Sequence, residues 1–156
     1  MRMVSQVDPA AIDQIIDKYQ SEEGILIQVL LDVQHEYNWL PEEALKRISE
    51  RLGIPFSQVY RVASFYKAMS LTPRGKHLVR VCLGTACHVR GASRILDNVE
   101  QTLNIKAGQT TQDMKFSVER VNCLGCCALG PVMVIDGEAH GNLVPAHVEE
   151  ILNKYD

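Results

Sequence analysis

Five cysteines fall in two short glycine-bearing stretches, VCLGTACHVRGA at residues 81–92 and VNCLGCCALGP at residues 121–131, and any fold for this chain has to account for that grouping. Cys82 and Cys87 are separated by four residues and Cys123 and Cys127 by three, with Cys126 lying inside the second pair. Five cysteines in 156 residues are too sparse for a disulfide scaffold, and the number is odd. The opening MRMVSQVDPA carries no apolar run of the kind a signal peptide needs, so the expected compartment is the reducing cytoplasm. There, grouped thiols bind metal or do redox chemistry more often than they make structural disulfides. With 16 Lys and Arg against 19 Asp and Glu the formal charge is −3, which gives no basic field for nucleic acid. No apolar run approaches about 18 residues, so no insertion into a membrane is expected.

The chain changes its grammar near the middle. Residues 8–69 read as helices: Asp8 is a helix cap ahead of Pro9, and Ile12, Ile15, Ile16 and Tyr19 recur on one face. Ser21, Glu22 and Glu23 open a second helix, in which Ile25, Leu26, Ile27, Val29, Leu30, Leu31 and Val33 cover nearly the whole circumference; this predicts a central buried helix ending near Asn38. Pro41 starts a third, with Leu45, Ile48 and Leu52 on one side and a stop at Gly53. A fourth follows Pro55, with Val59, Val62, Ala63 and Tyr66 as its stripe. Pro73 and Gly75 then break the helical pattern, which marks residues 1–69 as a helical bundle and 70–76 as a linker. Residues 77–156 read as α/β. Strands are expected at His77 to Cys82, Phe116 to Val121 and Val132 to Ile135, with Asp136-Gly137 turning a hairpin into Glu138 to His140. A helical stripe of Ala92, Ile95, Leu96, Val99 and Leu103 lies between the first two strands, and Pro145 begins a last helix.

Both cysteine groups follow predicted strand ends, where a rigid scaffold can aim several side chains at one point. Cys82, Cys87, Cys123 and Cys127 make four thiolates, the number a [2Fe–2S] cluster uses, and leave Cys126 spare. Four thiolates also suit zinc, and a zinc-stabilised protein-binding adaptor without redox activity is the alternative this spacing leaves open. Dithiol exchange at Cys123-Leu-Gly-Cys126 is a third reading, and burial of the cysteines as small hydrophobes a fourth. For a cluster, backbone N–H groups of residues 83–86 and 124–126 would offset the negative charge, and a helix beginning just after Cys87 would aim its positive end there. Gly84, Thr85, His88, Gly125 and Cys126 are therefore expected around the ligands, with Arg90 adding to the field.

The runs LGIPFSQVYRVASFY, PRGKHLVRVCLGTACHVRGA and VNCLGCCALGPVMVIDGEAHG resemble the thioredoxin-like [2Fe–2S] subunit that accompanies the NADH-oxidising flavoprotein in respiratory complex I. They resemble still more its relatives in NAD(P)-linked hydrogenases and formate dehydrogenases, and the similarity runs from about residue 8 to 154. The resemblance implies an α+β chain, a helical bundle followed by a thioredoxin-like α/β domain carrying one [2Fe–2S] cluster on Cys82, Cys87, Cys123 and Cys127. It implies a one-electron carrier that is not catalytic alone. FMN and NAD(P) would sit on a partner subunit, with a further iron–sulfur subunit in the same complex. Three positions depart from the family's common pattern: Cys126 stands where Ala is frequent, Gly130 where Ala often precedes the proline, and Met114 where Gly often follows Asp113. Pro131 is a candidate cis-proline of the kind thioredoxin-like folds carry. Outside the cysteine loops, Trp39, Tyr37 and Leu40 read as interhelical packing, and Arg74, Lys76, His77 and Arg80 as a solvated cationic face.

Overall fold

Asp8 accepts a hydrogen bond from the Ala10 N–H at 2.9 Å, and Pro9 supplies the fixed φ of a first helical residue, so helix α1 (Pro9–Asp17) starts where the sequence says it should. The computed structural model describes residues 7–19 and 24–155, in two compact units, Met1–Pro73 and Arg74–Asp156. Beyond α1 the first unit holds α2 (Leu26–Tyr37), α3 (Glu42–Leu52) and α4 (Phe56–Phe65). Asn38 ends α2 and Gly53 ends α3, each in the left-handed region that closes a helix. Ile12, Leu30, Leu45, Ile48 and Val59 are fully buried between the helices, each contributing about 1.5–3 kcal/mol by leaving water. On the rim, the Arg47 guanidinium forks onto both oxygens of Asp13 at 2.9 and 2.6 Å, tying α3 to α1.

Two expectations for this unit are corrected. Helix α2 is not buried all round: Leu26, Val29, Leu30 and Val33 face the core, whereas Leu31 is 42% exposed. The apolar run supplies more greasy positions than there are neighbouring helices to cover them. Tyr66 does not extend the α4 stripe, because it is the extended residue that terminates the helix and is 40% exposed. The expected helix opening at Ser21, Glu22 and Glu23 lies outside the described residues. Leu40 is buried, Trp39 is half-buried, and the Tyr37 hydroxyl accepts the Asp8 N–H at 3.2 Å, so that aromatic group is packing.

The segment 70–76 is divided between the units. Ser70 takes the Leu40 N–H at 2.7 Å, while Gly75 and Lys76 donate to Ser117 and Met114. The second unit then runs β1 (His77–Cys82), α5 (Thr85–Val89), α6 (Ala92–Leu103), β2 (Phe116–Val121), a 3₁₀ turn at Cys127–Leu129, β3 (Met133–Ile135), β4 (Glu138–His140), a second 3₁₀ turn at Pro145–His147 and α7 (Val148–Leu152). The sheet order is β2-β1-β3-β4, with β1 parallel to β2 and antiparallel to β3. A parallel pair joined by a helix, followed by a hairpin and a last helix, is the thioredoxin-like arrangement. Val79, Val81, Val118, Met133 and Ile135 are fully buried within it, beside Ile95, Val99 and Val148. The Gly130–Pro131 bond is cis.

The cationic face is also corrected. Arg74 lies 2.6 Å from Glu119 with its side chain only 14% exposed, and His77 pairs with Asp136. The Arg80 Nε is buried. Arg74, His77 and Arg80 are thus enclosed or paired by the protein rather than solvated, whereas Lys76 is exposed as expected.

Candidate metal centre

Parallel pairing is what brings the two cysteine groups together. In the β1–β2 register Cys82 stands opposite Val121, so both strands deliver their following loops to the same end of the sheet. The ladder continues one step beyond, with the Leu83 N–H donating to the Val121 carbonyl at 2.8 Å. On the other side of β1 the Cys82 N–H donates to Val132 at 3.1 Å, which fixes the incoming end of β3 beside the same loops. The result is a cavity of about 350 Å³ lined by Cys82, Gly84, Thr85, Ala86, Cys87, Asn122, Cys123 and Cys127.

Two glycines mark how closely the walls approach. A Cβ on Gly84 would lie 2.5 Å from the Asn122 carbonyl oxygen, and one on Gly130 would lie 3.0 Å from the Cys87 sulfur. Cys82 and Cys87 are buried, with Ala92 and Val132 around them and Leu83, Val121 and Leu124 partly covering the rim, whereas Cys123 and Cys127 are exposed. The site is therefore apolar and closed on one side and open on the other.

The electrostatics follow from the same geometry. Burial alone would push the Cys82 thiol up, but the backbone N–H groups of Gly84 and Leu124, with the Cys87 thiol, outweigh it and hold Cys82 below the ordinary thiol value. Cys87 is pushed up by burial and by the neighbouring sulfurs of Cys82 and Cys127, against a bond from the Val132 amide. The Gly125 N–H donates to the Cys123 sulfur at 3.3 Å from a left-handed backbone, φ 79°, that suits glycine. Amide donors to sulfur favour the thiolate, the form that ligates metal. The donor set, four thiols on one cavity with amides aimed at three of their sulfurs, fits an iron–sulfur cluster.

Of the expected surrounding residues, Gly84 and Thr85 line the cavity, and Gly125 reaches it through Cys123. Cys126 does not line it, and its thiol donates to the Leu124 carbonyl at 3.5 Å. His88 is exposed and turned to the Ser93 hydroxyl at 3.2 Å, away from the cavity lining. The helix expected just after Cys87 begins before it, at Thr85, because Gly84 is the extended residue from which α5 winds; Gly91, at φ 94°, then separates α5 from α6. The Leu124 amide, which meets the Cys82 sulfur, lies in the stretch 124–126 expected to supply such donors; Asn122 and the Val132 amide were not legible as site groups, since nothing in residue type marks them.

The sequence profile of the thioredoxin-like [2Fe–2S] ferredoxin family matches residues 12–156. The HndA chain of the NADP-reducing hydrogenase of Solidesulfovibrio fructosivorans is 36% identical over 142 residues, covering 91% of this chain and 83% of that one. A component of the NADH-quinone oxidoreductase of Escherichia coli K12 is 38% identical over 152 residues, covering 97% of this chain and 92% of its own length. Among solved structures, the air-oxidized NAD+-reducing [NiFe]-hydrogenase superposes with a TM-score of 0.70 at 23% identity. That likeness, a likeness of fold, spans 81% of this chain and 22% of the hydrogenase chain.

Proposed function

This chain belongs to the thioredoxin-like [2Fe–2S] ferredoxin family, and on that premise we propose that it is a one-electron carrier subunit of an NAD(P)-linked oxidoreductase complex, with its cluster on Cys82, Cys87, Cys123 and Cys127. The observation that carries the ligand assignment is the shared cavity: four thiols from two loops line one space of about 350 Å³. A [2Fe–2S] cluster bound there supplies storage for one electron at a time. The chain's own residues do the rest. Strand ends fix Cys82 and Cys123, the amides of Gly84, Leu124 and Gly125 meet sulfur with N–H donors, and Ala92, Val132 and Leu83 keep water from the buried half. Exposed Cys123 and Cys127 mark the side through which an electron passes to or from a partner.

The chain is not a catalyst by itself. Its partner is a subunit bearing FMN and the NAD(P) site, with a further iron–sulfur subunit beyond, in a complex of the complex I, hydrogenase or formate dehydrogenase kind. Residues 1–69 serve as the docking surface, a reading supported by exposed aromatics on and just after α4: Tyr60, Phe65 and Tyr66. Among the described residues no helix is long and apolar enough to cross a membrane. We place the protein in the cytoplasm, where the thiols stay reduced.

Anaerobically purified protein, expressed where such clusters are assembled, is expected to contain two irons and two acid-labile sulfides per chain and to give an electron paramagnetic resonance signal on reduction. Serine at Cys82, Cys87, Cys123 or Cys127 abolishes or alters that signal, and serine at Cys126 leaves it intact. Colourless protein holding zinc would overturn the proposal; loss of the signal at Cys126 with retention at Cys127 would overturn the ligand set.

A further inference from the structure

The second cysteine loop has little regular structure to hold it, yet its carbonyl groups from residue 127 to 130 are all engaged. From residue 127 to 130 the carbonyls of Cys127, Ala128 and Gly130 lie 3.2, 3.4 and 3.2 Å from one nitrogen, the Arg90 Nη1. The remaining one, on Leu129, accepts the Asn142 N–H at 2.6 Å. Arg90 itself belongs to the first cysteine loop: it closes α5, and its own N–H donates to the Cys87 carbonyl at 3.1 Å. One residue therefore ties the backbone of Cys87, through its own main chain, to the backbone of Cys127, through its side chain.

We propose that Arg90 is a positioning residue for the iron–sulfur centre, a clasp that joins the two ligand loops and whose fixed charge favours the reduced state of the bound cluster. The inference rests on the ligand reading above. Guanidinium is suited to the clasp because its planar donors stay charged at every working pH and bond several oxygens at once. An ammonium at the same place supplies the charge on a flexible stem without the fixed fork. The electrostatic half follows from sign: reduction adds one negative charge to the centre, and a cation held on the backbone of a ligand residue lowers the cost of adding it.

The test compares Arg90→Gln, Arg90→Lys and, as a control, Arg94→Gln, which removes an exposed cation from α6. Cluster-loaded protein is challenged with an iron chelator while the visible absorbance is followed, and the midpoint potential is measured by a redox titration monitored by electron paramagnetic resonance. Arg90→Gln is expected to lose its cluster several-fold faster than wild type and to have a lower midpoint potential. Arg90→Lys is expected to lose it at an intermediate rate while keeping a potential close to wild type, and Arg94→Gln to match wild type in both. If Arg90→Gln does not fold, Arg90→Lys against wild type still decides the clasp, since an unchanged loss rate there refutes it. Equal shifts of potential in Arg90→Gln and Arg90→Lys, or in Arg90→Gln and Arg94→Gln, would refute the role of the Arg90 charge. Wild-type protein that takes up no iron or sulfide would instead refute the underlying ligand reading.

Discussion

Gly84→Ala adds one methyl group at the tightest point between the two ligand loops, and its consequence can be worked from distances. The backbone of Gly84, at φ −59° and ψ 158°, suits any residue, so the substitution introduces no torsional strain and acts through space alone. The new Cβ would stand 2.5 Å from the Asn122 carbonyl oxygen, and ordinary contact begins at 3.4 Å, so the loops must separate by about 0.9 Å. The oxygen is backbone, at the end of a strand, and cannot swing aside as a flexible side chain would. Metal–ligand distances hold to within about 0.2 Å, so the centre is disrupted before the fold is. Overpacking of this kind costs about 1–3 kcal/mol. If that cost falls on the bound state, cluster affinity drops by about five-fold to more than a hundred-fold, at tenfold per 1.4 kcal/mol. The assay is iron and acid-labile sulfide per chain after a chelator challenge, with far-ultraviolet circular dichroism to confirm the fold. Gly53→Ala is the matching control: it has open space around it but sits at φ 63°, so it costs about 1 kcal/mol of helix-end strain in the other unit and leaves the centre alone. Gly84→Ala protein that retains iron and sulfide at the wild-type rate would refute the reasoning from loop approach.

Two further predictions concern the helical unit. The hydrogen-bonded Arg47 guanidinium holds the Asp13 carboxyl below its ordinary 3.8, so the pair's contribution to stability is fully present above that value and is lost as pH falls through the lower, folded value. Asp13→Asn is therefore expected to lower the melting temperature at neutral pH, with the gap to wild type closing on acidification; a gap that widens below pH 3.8 would contradict the sign. Ile48→Ala empties a position that is 0% exposed and should cost about 2–5 kcal/mol, a fall in melting temperature of at least about 8 °C for a unit of this size. The visible spectrum of the centre at 25 °C is expected to be unchanged, and its loss alongside the helical signal would show that the two units do not unfold separately.

What could be read from the sequence was whatever local chemistry decides. Asp8 and Gly53 announce helix ends because a carboxylate oxygen or a left-handed backbone answers the unpaired groups there, and both occupy those places. The strands His77–Cys82 and Phe116–Val121 are bounded by turn residues and fell where the pattern put them. Readings that failed depended on distant partners. Arg74 meets Glu119 across 45 positions of sequence and His77 meets Asp136 across 59, so two members of a cluster that looked solvated are internally paired. Leu31 failed for the complementary reason, since an apolar residue is buried only where another element arrives to cover it. The four thiols of one cavity were legible as a group because cysteine chemistry is written in residue type, and the glycine-bearing stretches beside them marked the amides of Gly84, Leu124 and Gly125; the Val132 amide, delivered by the far foot of the loop, was not.

The order β2-β1-β3 explains why this end of the sheet is where a centre can be built. A parallel step such as β1 to β2 requires a crossover, which α6 supplies, whereas β2 to β3 is an antiparallel relation and requires none. Residues 122–132 therefore need only bridge the end of β1, and the chain leaving β1 emerges beneath that bridge. Hydrogen bonds from Leu83 to Val121 and from Cys82 to Val132 fasten β1 to both feet of the bridge, so the convergence of the two loops is a property of topology before any metal is present. Freedom from a crossover helix has a cost, because the bridge contains only a three-residue 3₁₀ turn and leaves the carbonyls of Ala128, Leu129 and Gly130 to partners outside it. Cys82 ends a strand, Cys123 lies two residues past one, and Cys87 is wound into α5. Cys127 opens the short 3₁₀ turn, with its carbonyl bonded to Gly130 and to a guanidinium borrowed from the opposite loop. The exposed side of the cavity, at Cys123 and Cys127, is thus held in part by a residue of the opposite loop, and on the proposed ligand set the hold on Cys127 depends on Arg90 as well as on its own segment.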